Sequence, residues 1–330
     1  MTFSYLRLEL AVAPVSGSRQ LTALAAPLLR RVLGLALIAR FCPFGEPRCQ
    51  APPTGGGAAP PPSDLCDLAA ACPYGVLFAA SRTRRPPFAL FVPPPKGSGD
   101  GEPGVIEITL FGPACGAYAW LLAAFADALE RGLGKTRQKW ALAEVCRTGP
   151  DGDRERLCGP DLTALPSILA PSLLNLAGSA YVAPAPVEVI LRSPARLLRQ
   201  GRLLKGREPV PFEVLIARIL DRFKNLYGAA AAEVLDARLR ADLEAEAARV
   251  PLLGNETDWV EVQDYSARSG AEMLLGGKVG RLLYGPEAAK FLPILQAGEI
   301  LHAGKNATSG CGRLEARLAA ARKAGRDAGI

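Results

Sequence analysis

The chain has 330 residues, 49% of them hydrophobic and 22% charged, enough apolar matter for one large core or two of moderate size. Lys plus Arg exceed Asp plus Glu by 39 to 32, and this net +7, with a pI near 9.1, suits an anionic partner without naming one. No export signal or bilayer span is expected: the chain opens on an alternating strand, Arg30 and Arg31 interrupt the apolar run 28–38, and Pro171, Pro184 and Pro186 break up 167–191. A cytoplasmic protein with no membrane partner is expected.

In chain order, residues 3–12 alternate as a half-buried strand. Ser16 and Ser18 offer N-caps for a helix over 19–40, with Leu21, Leu24, Leu28, Val32 and Leu35 on one apolar stripe. A cysteine-bearing insertion, 41–73, follows, and its Pro/Gly-rich part, 51–63, reads as a flexible surface loop. Segments 74–80, 88–92 and 105–111 read as strands, 118–131 as a helix and 140–146 as a strand. Residues 148–185 read as a linker. After it come a strand at 187–191, helices at 212–226 and 229–249, and strands at 259–266 and 273–284. Gly276-Gly277 marks a bulge or a close backbone approach in the last of these. A short helix over 286–296 then leads through 300–302 into a glycine-rich segment. Each half therefore reads β-α-β-β-α-β, an α+β fold of two ferredoxin-like units in tandem, 1–147 and 186–330.

The glycine-rich segment runs Leu301-His302-Ala303-Gly304-Lys305-Asn306-Ala307-Thr308-Ser309-Gly310-Cys311-Gly312-Arg313. Gly304, Gly310 and Gly312 permit positive φ and close approach, so successive N–H groups can face a phosphate, with Lys305 and Arg313 beside them. The same glycines also suit a plain hairpin or bulge. Two basic clusters, Arg82/Arg84/Arg85 and Arg192, Arg196, Arg199, Arg202, Lys205 and Arg207, fit either a groove for RNA phosphates and 2′-hydroxyls or a solvated face.

Several motifs precede that segment in order: Cys72-Pro73-Tyr74-Gly75-Val76-Leu77-Phe78, Gly132-Leu133-Gly134 with Arg137, Leu191-Arg192-Ser193-Pro194-Ala195-Arg196, the helix 212–222, Tyr265-Ser266-Ala267-Arg268 and Leu275-Gly276-Gly277-Lys278-Val279-Gly280. Together they resemble the CRISPR-associated endoribonucleases of the RAMP superfamily, which process precursor CRISPR RNA, and the resemblance covers 42–313. It implies RAMP/RRM-like units, a strand ending in the His-x-Gly-Lys of the glycine loop, and a repeat stem-loop as partner. It also implies a reaction needing no metal cofactor, in which a ribose 2′-hydroxyl attacks the adjacent phosphorus to leave a 2′,3′-cyclic phosphate, with the product kept bound.

The RNA contacts so implied are Gly304, Lys305, Gly310, Gly312, Arg313, Arg192, Arg196, Arg199 and Lys278. Family members often carry a catalytic histidine on or just after the first helix, and this chain has none there; its single histidine is His302. His302 either supplies acid–base chemistry or only fixes the loop. The other candidates are Lys305 and Arg268 as cations for the transition state, with Tyr5 or Tyr265 assisting. Two alternatives to cleavage stand beside this reading: a subunit that holds guide RNA among the other subunits of an effector complex, and a helical interaction protein using 229–249 and 314–326.

Cys42, Cys49, Cys66 and Cys72 bracket the insertion and are candidates for a structural zinc, although no C-x-x-C pair is present. Packed, reduced thiols are the other reading. Cys115, Cys146, Cys158 and Cys311 are expected to be buried or incidental.

Overall fold

A computed structural model describes residues 3–16, 21–22, 25–45, 66–78, 86–95, 103–167, 169–176, 183–265 and 272–319. The first unit comprises β1 (Ser4–Pro14), α1 (Ala26–Phe41), α2 (Pro73–Leu77), β2 (Phe88–Phe91), β3 (Gly104–Phe111), α3 (Tyr118–Arg131), β4 (Trp140–Thr148), β5 (Arg154–Cys158) and β6 (Ser172–Leu173). Its sheet is antiparallel in the order β2-β3-β1-β4-β5, with β6 pairing the start of β1. Alternation along β1 sends Leu6, Leu8, Leu10 and Val12 to one face, where they meet Leu29, Leu33 and Leu37 of α1 and Leu121, Phe125 and Leu129 of α3. Each such side chain contributes about 1.5–3 kcal/mol on burial, which fixes the register of β1.

The second unit repeats the plan with β7 (Val187–Ala195), β8 (Leu198–Arg199), β9 (Arg202–Leu203), α4 (Phe212–Tyr227), α5 (Ala229–Val234), α6 (Ala237–Ala247), β10 (Leu252–Val260), β11 (Gln263–Tyr265), β12 (Glu272–Leu274), β13 (Gly277–Tyr284), α7 (Leu292–Leu301) and β14 (Leu314–Leu318). Its main sheet is again antiparallel, in the order β10-β13-β7-β14. Both sheets thus place the third strand of the unit beside the first, as the tandem ferredoxin-like reading requires.

Several local expectations change. The strand expected over 74–80 is the helix α2, because Pro73 sits in its first turn, where a proline's fixed φ and missing N–H do no harm. The helix expected from residue 19 starts at Ala26, with Pro27 in its first turn. The linker contains β5, a hairpin partner of β4, as well as β6. The helix 229–249 breaks at Leu235-Asp236, where the Asp236 carboxylate accepts the Leu239 N–H (2.7 Å) and starts α6. Strand 273–284 divides into β12 and β13: a Cβ at Gly277 would lie 2.7 Å from the Ala195 nitrogen, so the chain crosses β7 too closely there for any side chain. The short helix 286–296 is a 3-10 turn, Pro286–Phe291, followed by α7, which carries helix through Leu301. The glycine segment is therefore entered from a helix and not from a strand.

The two units share a core, in which Tyr5, Ala89 and Phe111 of the first pack among the buried residues of the second. Phe3 meets Phe223 and Tyr227 edge-on at 4.8 and 5.3 Å, and the Tyr227 hydroxyl donates to the Ser4 carbonyl (2.9 Å). Arg222 of α4, 4% exposed, donates to the carbonyls of Leu301 (3.1 Å) and Phe88 (3.0 Å), one in each unit.

Candidate nucleic-acid interface

The glycine segment lies at this junction. Gly312 has φ +80°, and a Cβ there would fall 2.0 Å from the Ala303 oxygen. Gly310 has φ +87°, and its Cβ would fall 2.4 Å from that of Ala26 in α1. Close packing, as well as positive φ, therefore dictates glycine at both positions. The N–H groups here are largely committed: Gly310 to Ala307 O (3.2 Å), Cys311 to Asn306 O (3.2 Å), Gly312 to Pro194 O (3.1 Å), and Arg313 to the Ser193 hydroxyl (2.9 Å). The phosphate nest expected across the whole segment is thus closed at its Gly310–Arg313 end. Its open part is the turn 304–308, with Lys305 exposed and Asn306 in the left-handed region.

His302 caps α7 with φ +64° and is 3% exposed. Its Nδ1 lies 3.1 Å from the Cys311 carbonyl. A carbonyl only accepts, so Nδ1 carries the proton of the neutral ring. Burial, then the guanidinium groups of Arg313 and Arg222, hold the imidazole well below its ordinary value of 6.5, and it is uncharged near pH 7. The ring is thus hydrogen-bonded to the backbone of the glycine segment itself.

The other expected residues divide by burial. Arg313 is 6% exposed, donates to the carbonyls of Glu299 (2.8 Å) and Leu314 (2.7 Å), and stands over the Phe91 ring at 5.7 Å. Lys278 is fully buried, its ammonium donating to Gly206 O (2.7 Å) in the turn after β9. Both side chains are buried, which speaks against their assignment as RNA contacts: each was placed by charge, and each donates to backbone carbonyls. Arg196 donates to Gly276 O (2.8 Å), while Arg192 and Arg199 are exposed but paired with Glu315 (2.6 Å) and Glu213 (3.2 Å). Tyr5 is 2% exposed in the shared core, so it is removed from the solvent-facing candidates. Tyr265 ends β11, and Val262 and Leu275 at the root of the β11–β12 hairpin pack on Cys311. Arg268 and the cluster Arg82/Arg84/Arg85 lie outside the described residues.

Arg30 is the residue that sequence reasoning missed. Its Nε donates to the Thr308 hydroxyl (3.1 Å), and its guanidinium stands 5.6 Å from the Phe78 ring centroid, so α1 is brought against the open part of the glycine turn. The signal was there: Arg30-Arg31 is the charged doublet that breaks an otherwise apolar helix.

Among the described residues, no three His, Cys, Asp or Glu side chains form a group able to hold a metal ion. Cys42 caps α1, while Cys66 and Cys72 pack partly buried on the first core, so these three are not gathered into a zinc site; Cys49 lies outside the described residues. Cys115, Cys146, Cys158 and Cys311 are buried free thiols, as expected. No helix among the described residues is long and apolar enough to cross a membrane.

Residues 189–314 match the family of the CRISPR-associated endoribonuclease Cas6, and residues 3–167 match the AF_1859_N family of N-terminal domains. Together the two matches span most of the chain, and its C-terminal part carries a domain of the CRISPR-associated endoribonuclease Cas6 family. Among solved structures it is similar to Thermus thermophilus Cas6 (TTHB231), with TM-score 0.54 and 14% identity over 96% of this chain and 100% of that one. The product complex of TTHB231 gives TM-score 0.53 and 17% identity over 94% of this chain and 98% of the other. A partial Cas6-RT-Cas1–Cas2 complex gives TM-score 0.53 and 12% identity, covering 96% of this chain and 46% of that one. At these identities the structural likeness speaks for the fold, and the Cas6 family match speaks for RNA processing. No protein of curated function matches the sequence.

Proposed function

We propose that the protein binds the stem-loop of a CRISPR repeat, cuts precursor CRISPR RNA without a metal cofactor to leave a 2′,3′-cyclic phosphate, and keeps the product bound. The observation that carries this reading is the meeting of Arg30 from the first unit with Thr308 in a glycine turn that also displays Lys305. Two cations beside this turn suit the pentacoordinate phosphorus of 2′-hydroxyl attack, whose excess negative charge needs fixed positive partners. Lys305 is the cation for that charge. His302 holds the turn in shape from beneath. Tyr265, at the end of β11, and Arg268 are the further groups proposed to assist. The exposed side chains of the β8–β9 hairpin and the turn after it, Arg199, Arg202, Lys205 and Arg207, contact phosphates of the stem, the three arginines exchanging their carboxylate partners for RNA.

The test is incubation of the protein with a labelled repeat transcript in EDTA, followed by analysis of the new 3′ end. Cleavage to a cyclic phosphate is expected. A mobility shift without cleavage would leave a guide-RNA-holding subunit of an effector complex, and cleavage only on addition of a divalent ion would overturn the metal-independent reaction.

A further inference from the structure

The turn after α3 carries charge of a different kind. Residues 131–139 hold Arg131, Lys135, Arg137 and Lys139 and no acid, four cations against a chain-wide excess of seven. All four are exposed, and none of their side chains has a hydrogen bond or ion pair among the described residues. The acids nearby are Asp127, already held by Arg40 (2.9 Å), and Glu130. Together with Arg131, Arg137 and Lys139 they line an open basin of about 600 Å³.

This turn is rigid. Leu133 and Gln138 exchange both backbone hydrogen bonds (2.8 and 3.1 Å), the Arg137 N–H reaches Gly134 O (3.2 Å), and the Gln138 amide donates to Ser16 O (2.5 Å). Arg137 sits at φ +47°, a left-handed conformation that glycine or asparagine adopts more readily. A cation is thus displayed at a position whose backbone favours its absence, and such outliers concentrate at functional sites.

The turn also lies beside the site already described. A Cβ at Gly134 would meet Leu28 Cδ2 at 3.8 Å, and one at Gly310 would meet Ala26. The basic turn and the glycine turn therefore flank the first turn of the same helix, α1. Trp140 is buried, so the turn offers no ring for base stacking.

We propose that residues 131–139 form a second phosphodiester-binding surface, which takes the backbone of the RNA continuing past the glycine turn without reading its bases. This rests on the Proposed function, since it extends the track of that same RNA.

The experiment compares wild-type protein with the triple variant Lys135→Gln/Arg137→Gly/Lys139→Gln, and with Arg137→Gly alone. Binding of a fluorescently labelled repeat transcript with single-stranded flanks is followed by anisotropy across a salt series. The triple variant should bind at least ~10-fold more weakly at low salt, with the slope of log Kd against log salt reduced by about 0.7 for each phosphate no longer neutralised. Arg137→Gly should weaken binding while its unfolding midpoint stays level or rises, an opposition that a purely structural residue would not give. Unchanged affinity and slope in both variants, with wild-type binding intact, overturns this surface alone. A wild-type protein that binds no repeat RNA overturns the Proposed function and this surface with it.

Discussion

Two glycine-bearing turns flank the start of α1, and they place their charges in opposite ways. In 302–313 the glycines let backbone pack on backbone: Gly312 approaches Ala303, Gly304 approaches Arg196, and the flanking Arg313 and His302 are buried in hydrogen bonds to carbonyls. In 131–139 Gly132 also approaches backbone, at Arg137, but Gly134 has only a side-chain methyl at 3.8 Å, and every cation is exposed. The first turn joins two domains and offers a short open stretch around Lys305; the second is displayed surface. Glycine next to lysine or arginine therefore carries two meanings, and burial separates them.

The largest test of this contrast is a pair of alanine substitutions. Gly312→Ala should cost about 3–4 kcal/mol, because neither of the backbones in contact can give way, and should lower the thermal midpoint accordingly. Gly134→Ala should cost only about 1–2 kcal/mol, the strain of its positive φ. Equal losses would erase the distinction. Next in size is Arg222→Met, which strips the donor from carbonyls in both units and should cost about 2–3 kcal/mol in denaturant unfolding. A midpoint unchanged from wild type would show that the junction does not depend on it.

A smaller effect depends on pH. The folded-state pKa of His302 lies below the unfolded one, so below about 6.5 the unfolded chain takes a proton that the folded chain refuses. Stability from this group is full above that pH and falls as pH drops, by about 1.4 kcal/mol per unit until the folded pKa is reached. His302→Asn, which keeps a donor for the Cys311 carbonyl, should flatten that slope between pH 6.5 and 5; an unchanged slope would mean that the imidazole titrates normally.

The tandem β-α-β-β-α-β order was legible because alternation in β1 is a local signal pinned to one buried face; on the first helix the expected stripe was off by one position, since α1 buries Leu29, Leu33 and Leu37 and leaves Leu35 exposed. Boundaries failed where a single residue decides them, as Pro73 does by opening a helix in a β-like run and Asp236 by restarting one. The site was legible in part. Glycine spacing located the loop, but composition cannot say which cations reach solvent: Lys278 and Arg313 look like ligands for phosphate and are buried donors to backbone carbonyls. Arg30 went unrecognised because its partner, Thr308, lies 278 positions away in the chain.

The central claim is that the histidine belongs to the domain junction while the cations around Lys305 serve the chemistry. The direct test is single-turnover cleavage of a labelled repeat transcript in EDTA by His302→Asn protein that is folded and binds RNA. A rate within a few-fold of wild type is expected. A loss of ~100-fold or more, the scale of a missing general acid or base, would contradict the claim.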